Sequence, residues 1–96
     1  MVIYEVNVVV QPEIAEEYPP WLYAHVEAML TLPGFVAGTV LREEYEGTEQ
    51  RFVVHYRVES RQALERYFSE HAERMRSDGL RRFGNKMSAT RRILLG

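Results

Sequence analysis

Two histidines and two tyrosines hold most of the chemistry this sequence can offer. His25 lies at helical spacing from Trp21 and Met29, and His71 lies between Tyr67 and Met75 in the same way. Each imidazole therefore falls inside an apolar stripe instead of on its solvent edge. Tyr4 and Tyr56 occupy even positions in two runs of alternating pattern, Val2 to Val10 and Arg51 to Val58, on the faces that are apolar throughout. An imidazole beside polar partners exchanges protons near neutral pH, and a phenol can orient a carbonyl or another phenol. With Trp21 as an aromatic wall, these residues describe a pocket for a small, partly apolar molecule. His25, Tyr4 and Tyr56 are its candidate catalytic groups, and Trp21 and His71 are candidate ligand contacts. Arg82, Asn85 and Arg91 are placed to close its mouth, where an arginine fork suits a carboxylate or phosphate.

The same residues have plainer uses. A histidine on an apolar stripe often packs as core, with its nitrogens on a carbonyl or a hydroxyl, and a buried tyrosine usually packs with one satisfied O–H. The arginines can pair with acids instead. Residues 1–50 carry nine acids against Arg42 alone, and residues 51–96 carry eleven bases against five acids. Neutralisation of one half by the other follows from that asymmetry.

Several chemistries are excluded or unsupported. The chain has no cysteine, which removes disulfides, thiolate nucleophiles and cysteine-held metals. His25 and Glu27, like His71 and Glu73, point to different sides of a helix, so no metal site is expected. No Gly-x-Ser-x-Gly elbow and no phosphate-binding glycine loop is present. RNA-recognition domains share the element order derived below, but the run Gln50 to Arg57 lacks their glycine and aromatic signature, and the net charge is −2. Nucleic acid is therefore not an expected partner. No segment has the roughly 20 apolar residues of a membrane span, and the opening residues do not read as a signal peptide. A cytoplasmic location is the expectation.

One domain spans residues 1–96. Val2 to Val10 is a strand. Pro19-Pro20 opens a helix running to about Leu32, with Trp21, His25, Ala28, Met29 and Leu32 on its core face and Leu22 and Val26 at the edge. Whether Glu13 to Tyr18 forms a turn of its own stays open. Pro33-Gly34 stops this helix. Phe35 to Tyr45 and Arg51 to Val58 form a hairpin around Glu46-Gly47-Thr48-Glu49. Ser60 caps a second helix that carries Leu64, Tyr67, Phe68, His71, Ala72 and Met75 and stops at Asp78-Gly79. Arg81 to Gly84 is a turn, and Lys86 to Leu95 is the last strand.

The order is β, α, β, β, α, β, an α+β ferredoxin-like layout with a four-stranded antiparallel sheet and two helices on one face. Right-handed crossovers leave the other sheet face uncovered. It carries Ile3, Val9 and Val53 beside Glu5, Asn7, His55 and Arg57, too apolar for comfortable exposure. A second copy packed sheet to sheet would cover it, so a homodimer is expected.

The segments Trp21 to Val26, Leu32-Pro33-Gly34-Phe35, Arg82 to Lys86 and Arg91-Arg92-Ile93-Leu94, taken in this order, resemble a family of short bacterial proteins described only as a domain of unknown function. The resemblance spans nearly the whole chain and implies a dimeric α+β barrel, similar to cofactor-independent monooxygenases of the antibiotic-biosynthesis type. It brings no established activity. Three uses of the chain remain in view. It is a cofactor-free oxygenase- or isomerase-like enzyme, a non-catalytic ligand-binding or sensor domain, or a structural, partner-binding dimer. No cofactor is called for in any of them.

Overall fold

The computed structural model describes all 96 residues, Met1–Gly96. Strand β1 (Val2–Val10) is central, paired antiparallel with β3 (Gln50–Val58) on one side and β4 (Met87–Leu95) on the other, while β2 (Phe35–Arg42) flanks β3. The order β2-β3-β1-β4 is that of a ferredoxin-like α+β sheet. Alternation decides which side chains enter the core. Val2, Tyr4, Val8 and Val10 of β1 and Phe52, Val54, Tyr56 and Val58 of β3 are buried, beneath helices α1 (Tyr18–Met29), α2 (Arg61–Glu70) and α3 (Ala72–Phe83).

Helix α1 starts earlier than its prolines alone imply. A 3-10 turn at Pro12–Ile14 precedes it, and Pro19 and Pro20 occupy its first turn, where backbone N–H groups have no intrahelical acceptor. Its buried face is Tyr18, Leu22, Val26 and Met29. The stripe centred on Trp21 and His25 is thus rotated: both are half-buried on its flank, and Leu22 and Val26, expected at the edge, lie at the centre. Inclusion of Tyr18 sets the phase, because this nearly fully buried ring anchors the helix on Phe52 and Phe83.

The second helical segment departs most from expectation. Ser60 caps α2, its Oγ accepting the Ala63 N–H at 3.0 Å. At His71 the backbone leaves helical values (φ −131°, ψ −26°), and α3 begins at Ala72. Ala72 is buried as its spacing implies, while His71 stays half-buried at the bend, where its Nδ1 lies 3.3 Å from the Arg74 guanidinium. Gly79 does not stop α3. It is buried mid-helix, where a Cβ would come within 3.0 Å of the Trp21 indole, so its bare backbone admits that ring. The helix runs on through Arg81, Arg82 and Phe83 and ends at Gly84, whose φ of +56° suits glycine. The first hairpin strand ends sooner than expected, at Arg42 instead of Tyr45, while the second begins one residue earlier, at Gln50, with a longer loop between them.

No helix of this chain covers the outer sheet face. Across its middle, the paired positions Thr39, His55, Glu5 and Arg92 form a row. Apolar side chains flank that row, with Leu41 and Val53 on one side and Ile3 and Leu94 on the other. No helix is long and apolar enough to cross a membrane.

Candidate functional site

Between the sheet and helices α1 and α3 lies a cavity of about 50 Å³. Its floor comes from β1 and β3, with Tyr4, Val6, Val54 and Tyr56; Trp21 and His25 of α1 wall one side, and Arg76 of α3 and Arg91 of β4 stand at its opening. Arg76 and Arg91 are exposed, and Trp21 and His25 are half-buried. Strand parity puts Arg91 there, since it pairs with Val6 and shares that residue's helix-facing side.

Aromatic packing fixes the interior. Tyr4 lies 6.0 Å from Tyr56, 5.8 Å from Tyr67 and 5.5 Å from Phe68 by ring centroid. The Tyr4 hydroxyl accepts a hydrogen bond from Arg76 Nη2 at 3.1 Å. Trp21 and His25 stack with centroids 4.7 Å apart and planes at 15°, and the edge of Phe83 closes on the indole at 5.5 Å.

Apart from the Tyr4–Arg76 pair, the polar side chains in this cavity lack partners from their own chain. Tyr18, Tyr56 and Tyr67 are each 3 % exposed or less, yet none of their hydroxyls makes a hydrogen bond within the chain, and neither does the His25 imidazole. These oxygens border open space, because the only sealed side-chain polar atom without a partner is Gln50 Oε1, elsewhere in the chain. Native interiors seldom leave several such groups together without a partner, ordered water or ligand.

Their protonation follows from burial. Burial pushes Tyr18 and Tyr56 well above the ordinary phenol range and Tyr67 up to about 12, so all three keep their proton at neutral pH. Burial likewise lowers His25 from 6.5, with Arg91 acting in the same direction and Asp78 against it. The imidazole is thus neutral at pH 7, with a lone pair free to accept a proton. No carboxylate lines the cavity; the nearby Asp78 is held by Arg81 at 2.7 Å.

The structure brings Tyr4, Tyr56, Trp21 and His25 to one cavity, and Arg91 to its mouth. It does not bring His71, Arg82 or Asn85 there. His71 sits at the α2–α3 bend, Arg82 lies exposed over Phe83 at 5.5 Å, and Asn85 is exposed in the 3-10 turn before β4. Three cavity groups went unread in the sequence as site residues: Tyr18, Tyr67 and Arg76. The two tyrosines share the helical spacing of the core, and Arg76, an exposed arginine directly after the buried Met75, carries no sequence signal that sets it apart from the other arginines of the chain. Some of the expected acid–base pairing is present, as in Lys86–Glu13 at 2.8 Å and Arg51–Glu49 at 2.7 Å. Arg82 and Arg91 take no part in it. No group of three or more potential metal-ligating side chains is present.

The fold recurs in solved structures. A candidate antibiotic biosynthesis monooxygenase from Deinococcus radiodurans superposes with a TM-score of 0.75 at 16% identity, covering 100% of this chain and 92% of that one. SnoaB, a cofactor-independent oxygenase from Streptomyces nogalater, gives 0.69 at 16% identity, covering 99% and 92%. The de novo designed protein Foldit4 gives 0.61 at 15% identity, covering 99% and 97%. Identities this low show a shared fold, and the designed protein among them illustrates that this fold can exist without an evolved activity. No curated protein matches the chain in sequence. The family profile described as "Domain of unknown function (DUF4286)" matches residues 1–96, and the chain belongs to that family.

Proposed function

We propose that this chain handles a small molecule in the cavity between sheet and helices, as a homodimer, with cofactor-free oxygenase- or isomerase-like chemistry. The observation that carries the proposal is the convergence of unpartnered hydroxyls and a neutral imidazole in one interior space. In this reading His25 accepts a proton from an enolisable carbon or a phenol. The Tyr56 hydroxyl, with Tyr4 held by Arg76, donates to the oxygen on which negative charge develops. Return of the proton to a different carbon is isomerisation; capture of the carbanion by dioxygen is oxygenation. Trp21 supplies an apolar wall.

The space as it stands, about 50 Å³, has room for a few water molecules and is too small for a ring-bearing ligand. A larger ligand enters by displacing the half-buried rings of Trp21 and His25, which no hydrogen bond holds. That small volume also favours a second reading, in which the core is nearly filled and the chain is a structural, partner-binding dimer. Two copies would meet through their outer sheet faces in either case.

Native mass spectrometry of protein purified without added ligand, with denaturing mass analysis of the same sample, tests both parts. A dimer with a discrete retained mass supports the proposal and supplies the ligand. Conversion of that ligand by the wild type but not by a folded His25→Ala variant makes the chain an enzyme. An unchanged ligand whose affinity falls in Trp21→Ala makes it a binding or sensor domain. A dimer with no retained mass, whose melting no small molecule shifts, puts the structural reading first.

A further inference from the structure

We infer that the molecule taken by this cavity is an organic anion, a carboxylate on a flat aromatic or conjugated skeleton, with its charge at Arg91 and Arg76. The inference rests on the cavity being a ligand site and adds the class of ligand. Among the residues lining the cavity, the formal charges are those two guanidinium groups and no carboxylate. Neither arginine forms an ion pair: Arg76 uses one N–H on the Tyr4 hydroxyl, and Arg91 makes no hydrogen bond within the chain. Asp78, the acid whose charge reaches His25, is occupied by Arg81.

Hydrogen-bond capacity points the same way. Tyr18, Tyr56 and Tyr67 keep their protons and present O–H donors, and two guanidinium groups add more. Against this surplus of donors the lining offers the His25 lone pair and the phenol oxygens as acceptors. A neutral, donor-rich ligand would leave guanidinium N–H groups without an acceptor, whereas a carboxylate supplies two oxygens in the geometry an arginine fork matches.

The layout also orients such a ligand. Both arginines are exposed at the opening, while the inner lining of Val6, Val54, Met29 and the aromatic rings with their hydroxyls carries no formal charge to offset that of a carboxylate. The anionic group therefore stays at the mouth and the apolar remainder points inward. The number of aromatic rings in the lining, Tyr4, Tyr18, Trp21, Tyr56 and Tyr67, favours a planar remainder over a branched one.

Trp21 is the only tryptophan of the chain, so its emission reports entry directly. The experiment is a fluorescence titration with benzoate, salicylate and phenylpyruvate, each against its neutral primary amide, at fixed ionic strength. Wild type, Arg91→Gln, Arg91→Lys and Arg42→Gln are compared, Arg42 being an exposed arginine remote from the cavity lining. At least one carboxylate is expected to saturate the signal at least tenfold more tightly than its amide. Arg91→Gln should remove that preference, Arg91→Lys should keep part of it, and Arg42→Gln should leave it unchanged. Amides that bind as tightly as acids overturn the anion assignment while leaving the ligand site standing. Equal losses in Arg91→Gln and Arg42→Gln also overturn it, because the effect is then one of overall charge. If neither acids nor amides bind saturably, the ligand-site reading falls and the anion assignment with it. Coincident melting curves for the variants exclude unfolding as the cause.

Discussion

The two faces of the sheet treat polar side chains in opposite ways. On the outer face Glu5 is 4 % exposed, and three neighbours donate to it: Arg92, Asn7 at 2.8 Å and His55 at 2.7 Å. These hydrogen bonds, Arg92 first, bring its carboxyl from 4.5 to about 2 although burial opposes the shift. On the inner face, one residue away along β1, the Tyr4 hydroxyl has one partner, and across the cavity three further hydroxyls have none. A polar group whose capacity is satisfied within its own chain can be covered by another apolar surface at little further cost. A group left open needs something from outside the chain. On the proposed reading, the outer face is suited to burial against a second copy and the inner one to a ligand.

The largest test of this difference is aimed at the outer face. Val53→Glu sets a carboxylate into the apolar flank, and in a two-fold dimer the substitution appears twice. The dimer dissociation constant should rise at least a hundredfold, on the order of 3 kcal/mol. Sedimentation velocity over a concentration series measures it. A variant that stays dimeric at the same concentrations places the interface elsewhere, and the outer face would then need another explanation for its apolar flanks.

Glu5→Gln comes next in size. It replaces a charged acceptor of three donors, and because the Arg92 side chain is 67 % exposed the loss should be only about 1 to 2 kcal/mol at pH 7. The pH dependence has a definite sign. The folded pKa lies below the unfolded one, so the unfolded chain binds more protons between pH 4.5 and about 2. The Glu5 contribution is complete above that window and is lost as pH falls through it. Urea denaturation from pH 7 to pH 3 should therefore show a shallower acid loss in Glu5→Gln than in the wild type. Parallel acid limbs would mean that Glu5 is not the group responsible.

Much of this was legible in the sequence, and the parts that were not have a common cause. Period-two alternation in β1 and β3 fixed which residues face the helices, and with it the placement of Tyr4, Tyr56, Glu5 and His55, because a strand residue has only two faces to choose between. Helical phase is more fragile. A one-residue break at His71 separates α2 from α3 and leaves His71 half-buried at the bend, outside the cavity lining, and neither glycine nor proline marks that break in the sequence. Gly79 misled for a related reason: its missing side chain serves the approach of Trp21 from α1, a tertiary contact that local turn chemistry does not encode. Arg91 was readable from β4 parity, and Arg82 and Asn85 were not, since their positions depend on α3 continuing to Phe83.

A smaller effect is expected at His25. Burial lowers its pKa from 6.5, so in the window just below 6.5 the unfolded chain binds the proton that the folded one refuses. His25 thus weakens the fold as pH drops through that window and has no such effect above it. An NMR titration of the His25 ring should give a midpoint below 6.5. A midpoint above 6.5 would mean that a negative charge reaches the ring and would remove its role as a neutral base.

The smallest stability change should come from Tyr56→Phe, and it separates the two faces most cleanly. The Tyr56 hydroxyl makes no hydrogen bond within its chain, while its ring packs on Tyr4 and, edge-on at 5.7 Å, on Phe35. Phenylalanine keeps the ring contacts and removes only the oxygen. A buried hydroxyl without a partner contributes nothing favourable, so stability should change by no more than about 0.5 kcal/mol, in either direction. Ligand affinity or turnover should fall at least severalfold, because the lost donor is one that the chain itself does not use. Chemical denaturation and ligand titration of one protein sample read both quantities. A loss of more than about 1 kcal/mol with unchanged binding would show that the hydroxyl serves the fold, as Glu5 does on the opposite face, and the contrast between the faces would disappear.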